Sequence, residues 1–188
     1  MYRRRTALKA VGTGVFGMLA GCSAPGDDGT SGEATAVTSG ETTPFLTRSS
    51  LPEWYPDGDG LVVLVGSDDR AEALLDSYDI PEDREATVRE LLSGIDYGDE
   101  RLLLVESVGP SACHDRLELS AFELDDGTLR AEATVIDTAT GDVDCAAVEQ
   151  YPSALARVGF DGVPPEAASV RITDGRGDTA TVSSERSG

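Results

Sequence analysis

The period of the hydrophobic positions changes twice along this chain, and the changes divide it into regions. Leu61-Val62-Val63-Leu64-Val65 is an unbroken β-branched and leucine run between Gly60 and Gly66, the pattern of a buried strand. From Ser67 the period lengthens. Ala71, Leu74, Leu75 and Tyr78 fall on one helical face, and Ser67 or Asp68 is placed to cap it. Pro81 opens a second helical stretch in which Ala86, Val88, Leu91, Leu92 and Ile95 are apolar and Gly94 stands near the end. Beyond Arg101 the period shortens again. Leu102-Leu103-Leu104-Val105 is a second buried run, followed by the turn signal Gly109-Pro110. Leu117, Leu119 and Ala121 alternate with polar neighbours, but Phe122 and Leu124 continue in the opposite phase, which predicts a bulge or bend. Asp125-Asp126-Gly127 reads as a tight turn, and Leu129, Ala131, Ala133 and Val135 resume the alternation, a hairpin signal. Strands are also expected at 154–160, 169–172 and 179–182. Stacked hairpins with few helices predict an α+β fold: a small antiparallel β-sandwich-like domain with one or two helices inserted near its N-terminal side.

Residues 1–21 follow none of these patterns. Arg3, Arg4, Arg5 and Lys9 precede the weakly apolar run Ala10 to Ala20, with no acidic residue, the layout of a signal peptide. The run is too short and too rich in glycine for a membrane span, which needs ~20 apolar residues. Arg4-Arg5-Thr6-Ala7-Leu8-Lys9 resembles the twin-arginine (Tat) export signal, departing from it at Ala7, where phenylalanine is usual. Leu19-Ala20-Gly21-Cys22 resembles a lipobox. The resemblance implies cleavage before Cys22 and a lipid thioether on its sulfur. Two acyl chains suit such an anchor, because each buried CH₂ contributes ~0.8 kcal/mol and a single chain holds only marginally. The expected location is the outer face of the cell membrane.

Charge sharpens this picture. The chain carries 15 Lys and Arg against 35 Asp and Glu, a net charge of −20. Loss of residues 1–21 removes four cations and no acid, leaving 11 arginines and no lysine. Such a surface repels nucleic acid and anionic lipid, so neither is expected as a direct partner of the domain. An acidic, lysine-free surface resembles that of proteins from salt-loving archaea, where concentrated salt shortens self-repulsion to ~3 Å at 1 M. Asp57-Gly58-Asp59-Gly60 lacks the spacing and closing glutamate of a calcium loop and reads as a turn.

The segment 22–50 is nearly all Gly, Ser, Thr, Ala, Asp and Glu, apart from Phe45-Leu46. It reads as a disordered tether, since it offers too little apolar surface to offset its ordering entropy. A single globular domain is expected over 51–184, with Trp54 and Tyr55 as packing anchors and 185–188 as a flexible tail.

Few residues carry chemistry. With Cys22 assigned to lipid, Cys113 and Cys145 flank the hairpin and are expected to form a disulfide, worth roughly 3–4 kcal/mol in the chain-entropy model. A redox pair would normally sit in Cys-x-x-Cys, and a zinc site needs more donors. His114, the single histidine, stands beside Asp115. Alternate strand residues face opposite ways, so the two converge only in a turn. A surface or turn role is favoured over a general base, which needs an oriented partner and a pocket. Val65-Gly66-Ser67-Asp68-Asp69 lacks phosphate-loop glycine spacing and reads as a capped turn. Asp96, Asp99 and Glu100 read as a solvated acidic turn. Trp54, Tyr55 and Tyr97 suit core packing better than a carbohydrate site. No catalytic residue, metal ligand or cofactor is assigned.

From Leu91 to about residue 182 the chain resembles the C-terminal domain of PrcB-type protease-complex accessory lipoproteins. The resemblance rests on Ile95-Asp96-Tyr97, Leu102-Leu103-Leu104-Val105, Gly109-Pro110-Ser111, the hairpin and Tyr151-Pro152. Where that family's turn continues Gly-Gly-Tyr, this chain has Ala112-Cys113-His114. The resemblance implies a non-enzymatic β-rich domain on an exported lipoprotein. Together these features favour an interaction or scaffold module, bound to the membrane through Cys22 and meeting another membrane or surface protein. The alternative is a ligand-binding subunit of a transporter or sensor; a small hydrolase or metal enzyme using His114 ranks below both.

Overall fold

The computed structural model describes residues 36–141 and 143–184. The export signal (Arg4, Arg5, Leu8, Lys9), the lipobox residues Leu19, Ala20 and Gly21, the lipidation residue Cys22 and the tail 185–188 all lie outside the described residues. The described part is an α+β domain of two four-stranded sheets and two helices.

The first sheet has the order β1-β6-β3-β2 and is antiparallel throughout. Its strands are β1 (Ala36–Arg48), β2 (Leu61–Val65), β3 (Glu100–Glu106) and β6 (Tyr151–Asp161). Helices α1 (Asp68–Asp76) and α2 (Glu82–Ser93) lie in the chain between β2 and β3. The second sheet has the order β4-β5-β7-β8, from β4 (Arg116–Asp125), β5 (Thr128–Ile136), β7 (Ala167–Thr173) and β8 (Thr179–Ser183). The α+β, sandwich-like fold is the one expected, and its strand pairs are antiparallel apart from β5·β7, which is parallel. The long β6 occupies the chain between them, so β7 enters in the direction of β5.

The apolar runs are explained by layering. Val62, Leu64, Leu103, Val105, Ala156 and Val158 face the second sheet and meet Leu117, Leu129, Ala133, Val170 and Ile172. The alternate positions Val65, Leu102, Leu104 and Leu155 face the other way, against Ala71, Val88 and Leu91 of the helices. Strand β3 is therefore covered on both faces, and its sequence reads as a continuous hydrophobic run. Strands of the second sheet are covered on one face only and alternate.

The hairpin forms as its sequence predicts. Asp125 pairs with Thr128, and Asp126 and Gly127 adopt φ of 48° and 73°, the two-residue turn that matches strand twist. The phase change at Phe122 is a bulge: the β4·β5 register slips between Ser120 and Glu123, with Ala121 at φ 53°.

The expected tether over 22–50 is wrong for the residues from 36 onward. Strand β1 pairs with β6 from Ala36↔Asp161 to Arg48↔Tyr151, and Phe45 is buried among the helix-side residues. Burying such a ring contributes ~1.5–3 kcal/mol. An edge strand draws its pairing from backbone groups, so a Thr-rich segment with one large apolar residue can serve. The domain thus begins well before Leu51, which is itself exposed.

Candidate functional site

One cluster of charged and aromatic side chains stands out, on the helix-side face of the first sheet. Glu106 closes β3 in the same phase as Leu102 and Leu104, and its side chain is 1% exposed. Arg48, at the end of β1, donates from Nη2 to both carboxylate oxygens at 3.1 and 2.8 Å. Trp54 Nε1 donates to Oε2 at 2.7 Å. The Arg48 guanidinium also lies over the Tyr78 ring, 5.4 Å from its centre. Burial pushes the Tyr78 hydroxyl well above its ordinary pKa, and the Glu106 charge adds to the shift. Gly60 permits the close fit, because a Cβ there would stand 2.6 Å from the Glu106 carbonyl oxygen.

A second group continues from the first. The rings of Trp54, Tyr55 and Tyr151 meet edge to face with centres 5.3 to 6.0 Å apart. The Tyr55 and Tyr151 hydroxyls donate to Glu149 at 3.2 and 3.4 Å, and Arg176 pairs with the same carboxylate. Burial raises the Tyr151 hydroxyl pKa, helped by the Glu149 charge.

This arrangement holds rather than reacts. Both Glu106 oxygens accept hydrogen bonds, its charge is neutralised by Arg48, and water is excluded from it. A general base needs an open lone pair facing a substrate, which Glu106 does not offer. The cluster instead joins β1, the segment 49–60, the end of α1 and β3.

Cys113 and Cys145 form a disulfide with Cα atoms 5.7 Å apart. It links the loop after β3 to the loop before β6, and Ala112 N–H donates to the Ala146 carbonyl beside it at 3.0 Å. His114 closes a turn, its N–H donating to the Ser111 carbonyl at 3.0 Å, and Asp115 follows it without pairing with it. His114 Nδ1 is 2.9 Å from Ser111 Oγ, whereas Asp115 accepts from Thr138 Oγ1 at 2.7 Å. Ser67 occupies the N-cap of α1 without a side-chain capping bond. Of the acidic turn, Asp96 and Asp99 are exposed, while Glu100 pairs with Arg157 at 2.7 Å. Tyr97 packs with the helix-side residues, apart from Trp54 and Tyr55. Among the described residues no group of three or more His, Cys, Asp or Glu side chains could hold a metal. No helix among them is long and apolar enough to cross a membrane.

Sequence reasoning missed Glu106, Arg48 and Glu149. A signal existed for Glu106 alone: it continues the phase of Leu102 and Leu104 directly after a buried run. A groove of about 420 Å³ lies between the helices, with Leu75, Ile80 and Val88 among its lining residues and Glu72, Asp76 and Asp79 beside them. No family model, curated protein or solved structure matches this chain.

Proposed function

We propose that this chain is a non-catalytic interaction or scaffold module, exported through the twin-arginine route and held at the outer face of the cell membrane by lipid on Cys22. The observation that carries the reading is Leu19-Ala20-Gly21-Cys22 following Arg4-Arg5 at the distance expected of a lipoprotein signal. Three features support it. Both oxygens of the buried Glu106 carboxylate are taken up by Arg48 and Trp54. The single histidine is bound to Ser111 in a local turn. A disulfide suits an oxidising location, and the acidic surface suits concentrated salt.

Growth with a tagged lipid precursor tests the anchor: the chain takes up label and Cys22→Ser abolishes it. Changing Arg4 and Arg5 together to lysine leaves the precursor in the cytoplasm. An unlabelled chain that stays in the cytoplasm sinks the reading. Affinity purification from the membrane with the anchor intact then identifies the partner, and His114→Ala leaves its recovery unchanged. A second reading, a ligand-binding subunit, is favoured by the inter-helix groove, whose volume of about 420 Å³ falls at the small end of ligand sites. Small-molecule binding abolished by Val88→Arg would favour that reading over the first.

A further inference from the structure

The two sheets leave four edge strands, and these are unequally protected. An edge strand offers unpaired N–H and C=O groups to any other strand, so natural sheets blunt their edges with charge, proline or bulges. Strand β1 contains Glu41 and Pro44 and has two register irregularities. Strand β4 carries Arg116, Glu118 and Glu123 and the bulge at Ala121. Strand β8 turns Thr179, Thr181 and Ser183 to solvent and offers little apolar surface. Strand β2 has none of these features. It is Leu61-Val62-Val63-Leu64-Val65, uncharged and in unbroken register with β3. None of its backbone groups has a hydrogen-bond partner outside the sheet among the described residues.

The charges at the two ends of β2 have opposite sign. Asp57 and Asp59 precede it and are exposed. Beyond its other end stands Arg70, exposed and without an ion pair among the described residues. Arg70 lines the groove that runs along Val63, Leu64 and Val65, together with Ala73 and Leu74 of α1. It also lines the next groove, where Arg101 bonds only to backbone carbonyls. Thus two of the chain's few arginines gather at one end of an edge strand whose other end is acidic.

We propose that the occupant of this edge is a second copy of the chain, joined by antiparallel β2·β2 pairing about a two-fold axis through Val63. Antiparallel pairing sets Leu61 of one copy opposite Val65 of the other, and so carries Asp59 of each toward Arg70 of its partner. The first sheets of the two copies, each of four strands, become one continuous sheet, and the interface is the same patch on both copies, as two-fold closure requires. Parallel pairing would set acid against acid. The contact is one short strand wide, so the association is reversible and strengthens as salt screens the overall negative charge. It is independent of the scaffold reading, since a chain that stays monomeric would still be free to act as one.

Sedimentation of the full chain carrying Cys22→Ser, across a concentration series in concentrated salt, tests the pairing, with amide hydrogen exchange read alongside. The expected result is a concentration-dependent shift to twice the chain mass, with exchange slowed within 61–65. Repeated at moderate salt, where exposed charges still act over about 8 Å, Arg70→Glu and Asp59→Arg each weaken the dimer by about tenfold, since each turns two attractive pairs repulsive. The double variant restores it, which a folding defect would not do. A monomer at every concentration overturns the proposal. So does a dimer indifferent to these charges and unprotected in β2, which would use another surface. A monomer that takes up an added extended peptide along β2 overturns it in favour of a foreign strand.

Discussion

The two faces of the first sheet are covered differently. Toward the second sheet lie seventeen buried residues, aliphatic apart from Phe160 and without a charge among them. Toward the helices lie eight, ringed by half-buried side chains such as Leu74, Ile80 and Leu92. Helix α1 buries only Ala71, and α2 only Val88 and Leu91. The buried Glu106 carboxylate, paired with half-buried Arg48, is also on this thinner side. Stability within a fold follows local apolar contact. The inter-sheet layer is therefore expected to hold the domain together, while the helix layer opens first and relies on a charged joint at its margin.

The joint gives the sharpest way to break this comparison. Glu106→Ala opens a cavity at a fully buried position and leaves the half-buried Arg48 guanidinium and Trp54 N–H without their acceptor, and is expected to cost about 3–5 kcal/mol. Denaturant unfolding followed by Trp54 fluorescence measures it, and adding Arg48→Ala should cost less than the sum of the two. Next come matched truncations in the two layers. Leu103→Ala, at a site 0% exposed between the sheets, should fall at the upper end of ~2–5 kcal/mol and Leu91→Ala, 8% exposed, at the lower. Equal losses would erase the distinction.

Acid should act more gently. Burial pushes the Glu100 carboxyl up, but the Arg157 hydrogen bond, the Asp96 backbone N–H and the Arg157 charge outweigh it and hold its pKa below the ordinary value. A depressed folded pKa contributes stability that is present above the unfolded value and lost as pH falls through the folded one. Unfolding free energy should therefore drop with acidification below about pH 4.3, with a smaller drop in Glu100→Gln. The smallest effect is expected at Tyr97, whose hydroxyl is buried with no partner and whose pKa is pushed up to about 12 by burial and by Asp68. Tyr97→Phe should change stability by less than about 1 kcal/mol, or improve it, because an unsatisfied hydroxyl is removed.

Periodicity revealed those parts of the fold where side-chain burial follows a repeating pattern. The alternation of Leu129, Ala131, Ala133 and Val135, the out-of-phase Phe122 and the Asp126-Gly127 turn each have a local cause, and each stands where its sequence puts it. Strand β1 was illegible because its partner does the ordering: Thr42 and Thr43 pair with Ala156 and Leu155 through backbone bonds that any residue can make. The charged joint was hidden for a related reason. Trp54 and Arg48 lie 52 and 58 positions from Glu106, to which both donate, and nothing local announces that they will meet it. The parallel β5·β7 pair depends likewise on the course of the chain between them.

Strand β6 lies between β1 and β3, so the middle of the first sheet comes from the last quarter of the chain. During synthesis, β1, β2 and β3 leave the ribosome long before the strand that unites them. No nascent chain short of residue 159 can complete Glu100↔Gly159, and none short of residue 161 can complete Ala36↔Asp161. Pairings of such long sequence separation also make for slow folding. The domain must therefore close after translation has passed nearly its whole length, and until then a chaperone or an unfolded-chain translocase would meet loose strands. A route that waits for a finished fold before export suits that order of events.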